Sequence, residues 1–433
     1  MQHQQIELDG QGQLTQKGHM NRHKGLTGVS AAIVAIVAEL IFGSLVIAQV
    51  TPPAGAGRGG RGGRGGPAIV SPQIESDGRV TFRIYAPQAS TVTVTGDIGQ
   101  GLVAAEPAAG TANPAPANPA GRGGPPPVAL EKGADGVWSG TTIRRIKPGA
   151  WRYLYSVDGV PTVDPANVNV SPNQTRVQSI LYVPGDFSET RDVPHGAVSA
   201  VRYVAPSLGN ARREMYVYTP PGYGKSSASY PVLYLIHGGG DTAISWSTAG
   251  RANDILDNLL AENAAKPMIV VMPSGWTPTG GQVMTSDAAK DPFTQELVGD
   301  IIPFVEKNYR VLPNPDNRAL SGLSMGGIQT LNIGLERLGV FRYVAVMSSG
   351  WTTESDRDFF FQNQAAQIPK YNSMLKLFWW GWGQTDIARA NGLAVIEKLK
   401  SQGVKIETLE TPGGHEWANW RFYLHEVAQK LFR

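Results

Sequence analysis

Three short runs in the C-terminal half of the chain carry residues that could do chemistry together. The first is Gly322-Leu323-Ser324-Met325-Gly326-Gly327, which follows an apolar run of strand length and opens a run of helical spacing. A serine on a sharp strand-to-helix turn needs residues without a Cβ two positions before and after it, because the backbone passes close on both sides. The turn exposes the hydroxyl at a helix N-terminus, where negative charge is favoured. A serine hydroxyl is a poor nucleophile until a base takes its proton, so the chemistry to look for is acyl transfer through serine. The chain has no cysteine, which excludes a thiol nucleophile, a thiolate metal site and a disulfide framework.

Elimination among the seven histidines finds the base. His3, His19 and His23 lie in an N-terminal segment of export type, His195 lies between two candidate domains, and His237 belongs to a separate glycine run. Only His415 and His425 follow Ser324, as the order serine, acid, histidine requires. His425 falls inside a helical pattern, whereas His415 sits in the loop Pro412-Gly413-Gly414-His415-Glu416-Trp417. The acid is expected at Asp386, in a loop at the C-terminal end of a strand, where open α/β sheets place functional groups. It would hold the His415 tautomer. Glu354, Asp356 and Asp358 follow another strand and remain open as acids, while Glu336 and Glu397 fall on helices and Glu407 and Glu410 on or beside a strand. The third run, His237-Gly238-Gly239-Gly240-Asp241, follows the apolar Val232–Ile236. Its glycines let a backbone N–H approach a developing oxyanion, with Gly239 and Met325 as the expected donors. It lacks the Gly-Lys-Ser/Thr ending of a phosphate loop. No metal or organic cofactor is needed for this chemistry.

The elements that must position these groups show in the apolar periodicity. Val232–Ile236, Met268–Met272, Arg318–Leu323, Tyr343–Met347, Leu375–Trp380 and Val404–Leu409 are candidate strands. Helical spacing marks Arg251–Ala265, Gln295–Asn308, Met325–Leu338, Ile387–Gln402 and Glu416–Leu431. Buried strands alternating with helices predict an α/β domain over 197–433 with a mainly parallel sheet. Residues 68–186 read differently: Val80–Ala86, Thr91–Thr95, Val137–Thr141 and Trp151–Val157 are short strands separated by turn residues, the pattern of a small antiparallel β-sandwich. An Ala-, Pro- and Gly-rich insert at 103–127 is expected to be disordered. Trp138, Trp151 and Tyr153 lie in the strand pattern and are expected in the sandwich core.

Upstream, Arg22 and Lys24 precede the apolar run 29–50, with small residues near Ala48. This is the layout of an export signal over 1–48, and the run is also long enough for a membrane anchor if it is not cleaved. Residues 49–67, with three Arg-Gly-Gly units, suit a flexible linker. Residues 1–66 hold six of the 38 basic and three of the 35 acidic residues, leaving 32 of each elsewhere. A neutral folded part argues against a nucleic-acid partner, and nothing in the sequence implies a protein partner. Export without cysteine suits a periplasmic or extracellular setting.

The stretches YPVLYLIHGGGD, GRANDILDNLLAE after Trp246, KPMIVVMPSG, ELVGDIIPFVEKNYRV and RALSGLSMGG, with Arg212-Arg213 before VYTPPGYG, resemble the esterase D-like α/β-hydrolases. The likeness is especially to carbohydrate esterase family one, the feruloyl and acetyl-xylan esterases, over nearly all of 190–433. In that family the positions matching Ser324, Asp386 and His415 form the triad. The lines FRIYAP, DGVWSGT and GAWRYLYSVDGV resemble glycogen-binding-like, immunoglobulin-fold modules. The resemblance implies an exported serine esterase acting on acylated glycans or small esters. Siderophore esterases and mycolyl-type acyltransferases share the fold, and a non-catalytic glycan-binding protein is the alternative of another class. Trp276 and Trp379-Trp380 have no counterpart in the family pattern. Eight of the ten tryptophans fall in the hydrolase region. Aromatic faces suit sugars and cinnamoyl groups, so Trp246, Trp351 and Trp417, near the oxyanion, post-strand and base loops, are the expected substrate-binding residues.

Overall fold

Alternating apolar residues build the first domain. The computed structural model describes residues 67–103, 128–278 and 285–433. The expected export segment, nearly all of the linker, and the insert beyond Val103 lie outside them. The sandwich strands are β1 (Val80–Tyr85), β2 (Val92–Gly96), β3 (Val137–Thr141), β4 (Gly149–Val157), β5 (Val170–Pro172) and β6 (Val177–Val183). All pairing is antiparallel: β1 with β3 in one sheet, and β2, β4, β6 and β5 side by side in the other. Val80, Phe82 and Ile84 point alternately inward, as a strand with one buried face requires. Trp138, Trp151 and Tyr153 are buried in the same core, so none of the three offers a ring to solvent.

Runs such as Val232–Ile236 have no polar side, so they fit only a sheet covered on both faces. The second domain supplies it. Its strands are β7 (Ala197–Ala205), β8 (Ala211–Thr219), β9 (Val232–Ile236), β10 (Ile269–Pro273), β11 (Arg318–Leu323), β12 (Tyr343–Met347), β13 (Leu377–Gly383) and β14 (Glu407–Thr411). They lie in the order β7-β8-β10-β9-β11-β12-β13-β14. The β7–β8 and β8–β10 pairs are antiparallel. Every later pair is parallel. The helices are α1 (Ala252–Ala261), α2 (Ile302–Asn308), α3 (Met325–Glu336), α4 (Glu354–Gln364), α5 (Arg389–Ser401) and α6 (Trp417–Ala428). The arrangement is an α/β-hydrolase sheet preceded by an antiparallel sandwich.

Several boundaries differ from the sequence expectation. The β7–β8 hairpin was not expected; β7 is an edge strand with most of its side chains exposed, so its hydrophobic alternation is weak. The helix expected over Gln295–Asn308 is instead a short helix Pro292–Gln295, a π-helical turn Glu296–Ile301 and then α2. Pro303 has no N–H for an α-helical bond, and the wider turn before it absorbs that loss. Strand β13 runs on to Gly383, and β14 begins at Glu407 rather than Val404, because pairing with β13 (Glu407 opposite Trp379) sets its span rather than apolarity.

The two domains share apolar packing. Ala150 of β4 and Ile180 of β6 join the cluster that holds Trp246, Trp417, Trp420 and Leu424. Arg421 of α6 is fully buried and donates to the carbonyls of Ala150 and Ala249 at 3.0 and 2.9 Å. Among the described residues, no helix is long and apolar enough to cross a membrane. Among them, too, no group of three or more His, Cys, Asp or Glu side chains could hold a metal ion.

Candidate active site

The turn between β11 and α3 is as tight as the glycine spacing requires. A Cβ on Gly326 would lie 2.5 Å from the carbonyl oxygen of His237, and one on Gly322 would lie 2.3 Å from that of Gly326. Both clashes are with backbone, the first turn of α3 and the residue after β9, and not with the end of a flexible side chain. Between them Ser324 adopts φ 52° and ψ −115°, a region that L-residues enter only under strain. Ser324 N–H is tied to Met347 O at 2.9 Å, and Ser349 Oγ donates to Ser324 O at 2.7 Å. The elbow is thus fixed from the end of β12 and the loop after it, and Ser324 is left partly exposed.

His415 and Asp386 come to that hydroxyl from two loops, one after β14 and one after β13. His415 Nε2 lies 2.9 Å from Ser324 Oγ, and His415 Nδ1 lies 2.9 Å from Asp386 Oδ1. Asp386 Oδ1 also accepts from Ala388 N–H at 2.8 Å. Burial alone would raise the Asp386 carboxyl, but the hydrogen bond and charge of His415 outweigh it, aided by the Ser348 hydroxyl and Ala388 N–H. Its pKa therefore lies below the ordinary carboxylate value. An ionised Asp386 can only accept, so Nδ1 carries the imidazole proton and Nε2 turns a lone pair to the serine O–H. Glu354, Asp356 and Asp358 lie on α4. Asp356 there accepts from Thr285 Oγ1 and Ser286 N–H, away from His415.

The glycine run beside the elbow is held by its own histidine. His237 is fully buried, and burial pushes its pKa below the ordinary value, so the ring is neutral. Gly275 N–H donates to His237 Nε2 at 3.1 Å, which leaves Nδ1–H to donate to Gly238 O at 2.9 Å. A Cβ on Gly238 would meet Leu323 Cδ1 at 2.4 Å and Ser324 Cβ at 3.3 Å, so a larger residue here would have to displace the buried Leu323 side chain beside the elbow. Among the described residues, the N–H groups of Gly239 and Met325 donate to no protein acceptor. The Gly275 loop is fastened in turn: Gln329 Nε2 donates to Gly275 O at 3.0 Å, and Arg213, paired with the buried Glu296 at 2.6 Å, donates to Ser274 O at 2.9 Å.

The three tryptophans expected to bind substrate are buried instead, a correction to the sequence reading: Trp246 and Trp351 are 0% exposed and Trp417 is 5% exposed. Trp246 Nε1 donates to Ile236 O, and Trp351 Nε1 to Asn332 Oδ1. Trp417 stands edge-on to both Trp246 and Trp420, with ring centroids 5.2 Å apart in each pair. These rings fill the space under the loops and present no face to a ligand. The Ser324 cavity, about 140 Å³, is walled instead by Ile328, Ser349, Thr352, Ile387 and Asn391. Larger surface grooves, of about 690 and 760 Å³, lie elsewhere and hold no triad residue. Sequence reasoning missed Ser348, which faces Asp386 and accepts from Trp420 Nε1 at 2.9 Å. The signal available was its place just after β12, at the same sheet end as the other site loops.

Comparisons with known proteins agree on the type of domain. A family model described as "Putative esterase" matches residues 206–431. The chain is 32% identical over 372 residues to a Xylanibacter ruminicola protein named endo-1,4-beta-xylanase/feruloyl esterase, covering 84% of this chain and 46% of that protein. It therefore spans less than half the length of that relative. It is 22% identical over 230 residues to an acetyl esterase of Caldicellulosiruptor saccharolyticus, covering 46% of this chain and 82% of that one. Among solved structures, an enterobactin esterase from Shigella flexneri superposes with a TM-score of 0.56 at 16% identity, over 82% of this chain and 94% of that one. A feruloyl esterase module from Clostridium thermocellum gives 0.50 at 22% identity, over 62% and 95% of the two chains. At these identities the likeness to the solved structures is one of fold.

Proposed function

Since the chain belongs to the esterase family, we propose that it is an exported serine esterase that hydrolyses feruloyl or acetyl esters on plant polysaccharides or oligosaccharides. One observation carries the chemistry: the hydrogen-bonded line from Asp386 through His415 to Ser324, with 2.9 Å at each imidazole nitrogen. Ser324 Oγ attacks the ester carbonyl while His415 Nε2 takes its proton. The carbonyl oxygen gains the negative charge, and the Met325 and Gly239 N–H groups stabilise it. His415 gives the proton to the departing alcohol, leaving an acyl group on Ser324. Water then attacks the acyl carbon, with His415 again as base; the acid leaves and the serine is restored. Asp386 stabilises the imidazolium at both stages.

The substrate half of the reading is supported by the Xylanibacter relative, whose name includes feruloyl esterase. The export half is supported by the basic and apolar pattern before Ala48. Ser324→Ala assayed on 4-nitrophenyl acetate tests the mechanism, and turnover retained at the wild-type rate would refute it. A panel of methyl ferulate, acetylated xylan and a catecholate siderophore ester assigns the acyl group; preference for the siderophore ester would overturn the glycan reading. Failure of a fluorophosphonate to label Ser324 would favour a glycan-binding protein without activity. Mass spectrometry of the mature N-terminus checks whether residues 1–48 are removed.

A further inference from the structure

The loop that carries Gly239 is gripped from outside the hydrolase domain. Arg152 stands on β4 of the sandwich, and its side chain is 9% exposed. Its Nη1 donates to Asp241 Oδ1 at 2.7 Å, and Asp241 closes the turn by donating its N–H to Gly238 O at 3.2 Å. The β5–β6 turn holds the same loop: Gln174 N–H donates to Gly240 O at 2.8 Å, and Thr242 Oγ1 donates to Pro172 O at 3.2 Å. From the hydrolase side Asp241 O accepts from Trp276 Nε1 at 2.9 Å. The Arg152 guanidinium also lies 5.4 Å from the centre of the Trp417 ring. Trp417 stands edge-on to Trp420 at 5.2 Å, and Trp420 stands edge-on to His415 at 5.0 Å.

One side chain of the sandwich therefore touches the supports of both the oxyanion loop and the base. Replacing both partners of an ion pair buried this deeply by packed apolar residues would change stability little, although removing one partner alone would cost stability. What the pair adds is direction, in a site where donors must be held within about half an ångström of the productive geometry. We propose that Arg152 is a positioning residue of the esterase site, acting through Asp241 and Trp417, so that the sandwich completes the hydrolytic machinery. This inference rests on the reading of Ser324 as the nucleophile.

The test uses the full chain and 4-nitrophenyl acetate. Wild-type turnover that Ser324→Ala abolishes secures the underlying reading first, so a negative result with Arg152 then counts against this inference alone. Arg152→Met is expected to lower kcat roughly 10- to 100-fold with KM within about twofold, less than the loss of a whole oxyanion donor. Arg152→Lys, which keeps the charge but not the fork, should recover part of the loss. Asp241→Asn should lower kcat too, and the double variant should be no worse than Arg152→Met, since Arg152, which also pairs with Asp97 within the sandwich at 3.4 Å, reaches the loop through Asp241. Thr242→Val removes one hydroxyl without changing shape and should lower kcat about threefold, in proportion to the single neutral hydrogen bond it loses. Affinity for a boronic acid, which forms a tetrahedral adduct on serine, should fall in step with kcat; a purely structural role would not couple the two. Unchanged kcat in folded Arg152→Met overturns the proposal. If that variant does not fold, unchanged kcat and boronate affinity in both Asp241→Asn and Thr242→Val overturn it.

Discussion

Two buried carboxylates each organise a hydrogen-bond network, one per domain, and the networks differ in how they end. In the sandwich, Asp164 Oδ2 accepts from the hydroxyls of Tyr153 and Tyr155 at 2.8 and 3.4 Å, and Oδ1 accepts from Ala166 N–H at 2.9 Å. Asn167 Nδ2 donates to Tyr153 OH at 3.0 Å, and Tyr155 OH meets Ser71 Oγ at 2.8 Å. Burial pushes both tyrosines above their ordinary pKa, so they remain donors. Every strand of this network ends on the protein. The Asp386 network has similar burial and similar bond lengths, but its last member is the hydroxyl of a strained, partly exposed serine at a cavity. A closed network fixes a fold; one left open at a nucleophile can turn over a substrate.

Substitutions can break each side of this contrast. The largest effect belongs to Ser324→Ala, expected to lower kcat by roughly 10⁶-fold while leaving thermal stability equal or higher, as serine hydrolases lose almost all turnover without the nucleophile. Asp386→Asn should follow at roughly 10⁴-fold in kcat, because the wrong imidazole tautomer would then face the serine; a loss under tenfold would remove Asp386 from the line. Beneath the open network, Trp246→Ala should cost about 3–5 kcal/mol of stability in a urea titration, the range for a fully buried tryptophan. On the closed side, Tyr153→Phe should cost about 1–3 kcal/mol by leaving Asp164 short of a donor, with kcat unchanged. A fall in kcat there would show that the sandwich network reaches the site.

The smallest effect concerns pH. His237 has its folded pKa pushed below the ordinary 6.5 by burial. The unfolded chain binds a proton there that the folded chain refuses, so stability falls as pH drops through about 6.5, with a slope of at most about 1.4 kcal/mol per pH unit. Asp386 also loses its stabilising charge in acid, but only as pH falls through a folded value below 3.8. The difference in unfolding free energy between wild type and His237→Gln, followed from pH 7 to pH 5, isolates the histidine. A constant difference across that window would show that His237 is not held neutral.

The sequence made the open network legible and left much of its support hidden. Ser324, His415 and Asp386 could be found because few residue types can serve as nucleophile and base, and because Gly322 and Gly326 mark the elbow by the Cβ atoms they lack. The mainly parallel character of the sheet followed from the unbroken apolar runs, whereas its strand order did not. The tryptophans misled because packing and ligand stacking favour the same side chain, and only burial separates the two uses: Trp246, Trp351 and Trp417 form the floor and not the wall. Helix α4 escaped notice because its start, Glu354-Ser355-Asp356-Arg357-Asp358, is polar on every side. The pairing of Arg152 with Asp241 had no local signal, since the two are 89 residues apart and belong to different domains.

The backbone at Ser324 bears on whether the site is in use. A left-handed φ of 52° at a residue with a Cβ costs on the order of 1–3 kcal/mol, and glycine would relieve it without disturbing either neighbour. A lineage that kept this domain only as a scaffold would gain by letting the position drift to glycine, because the hydroxyl's one side-chain partner is His415 of the same triad. Serine at 324 is thus a standing handicap, of the kind that turnover of a substrate can maintain.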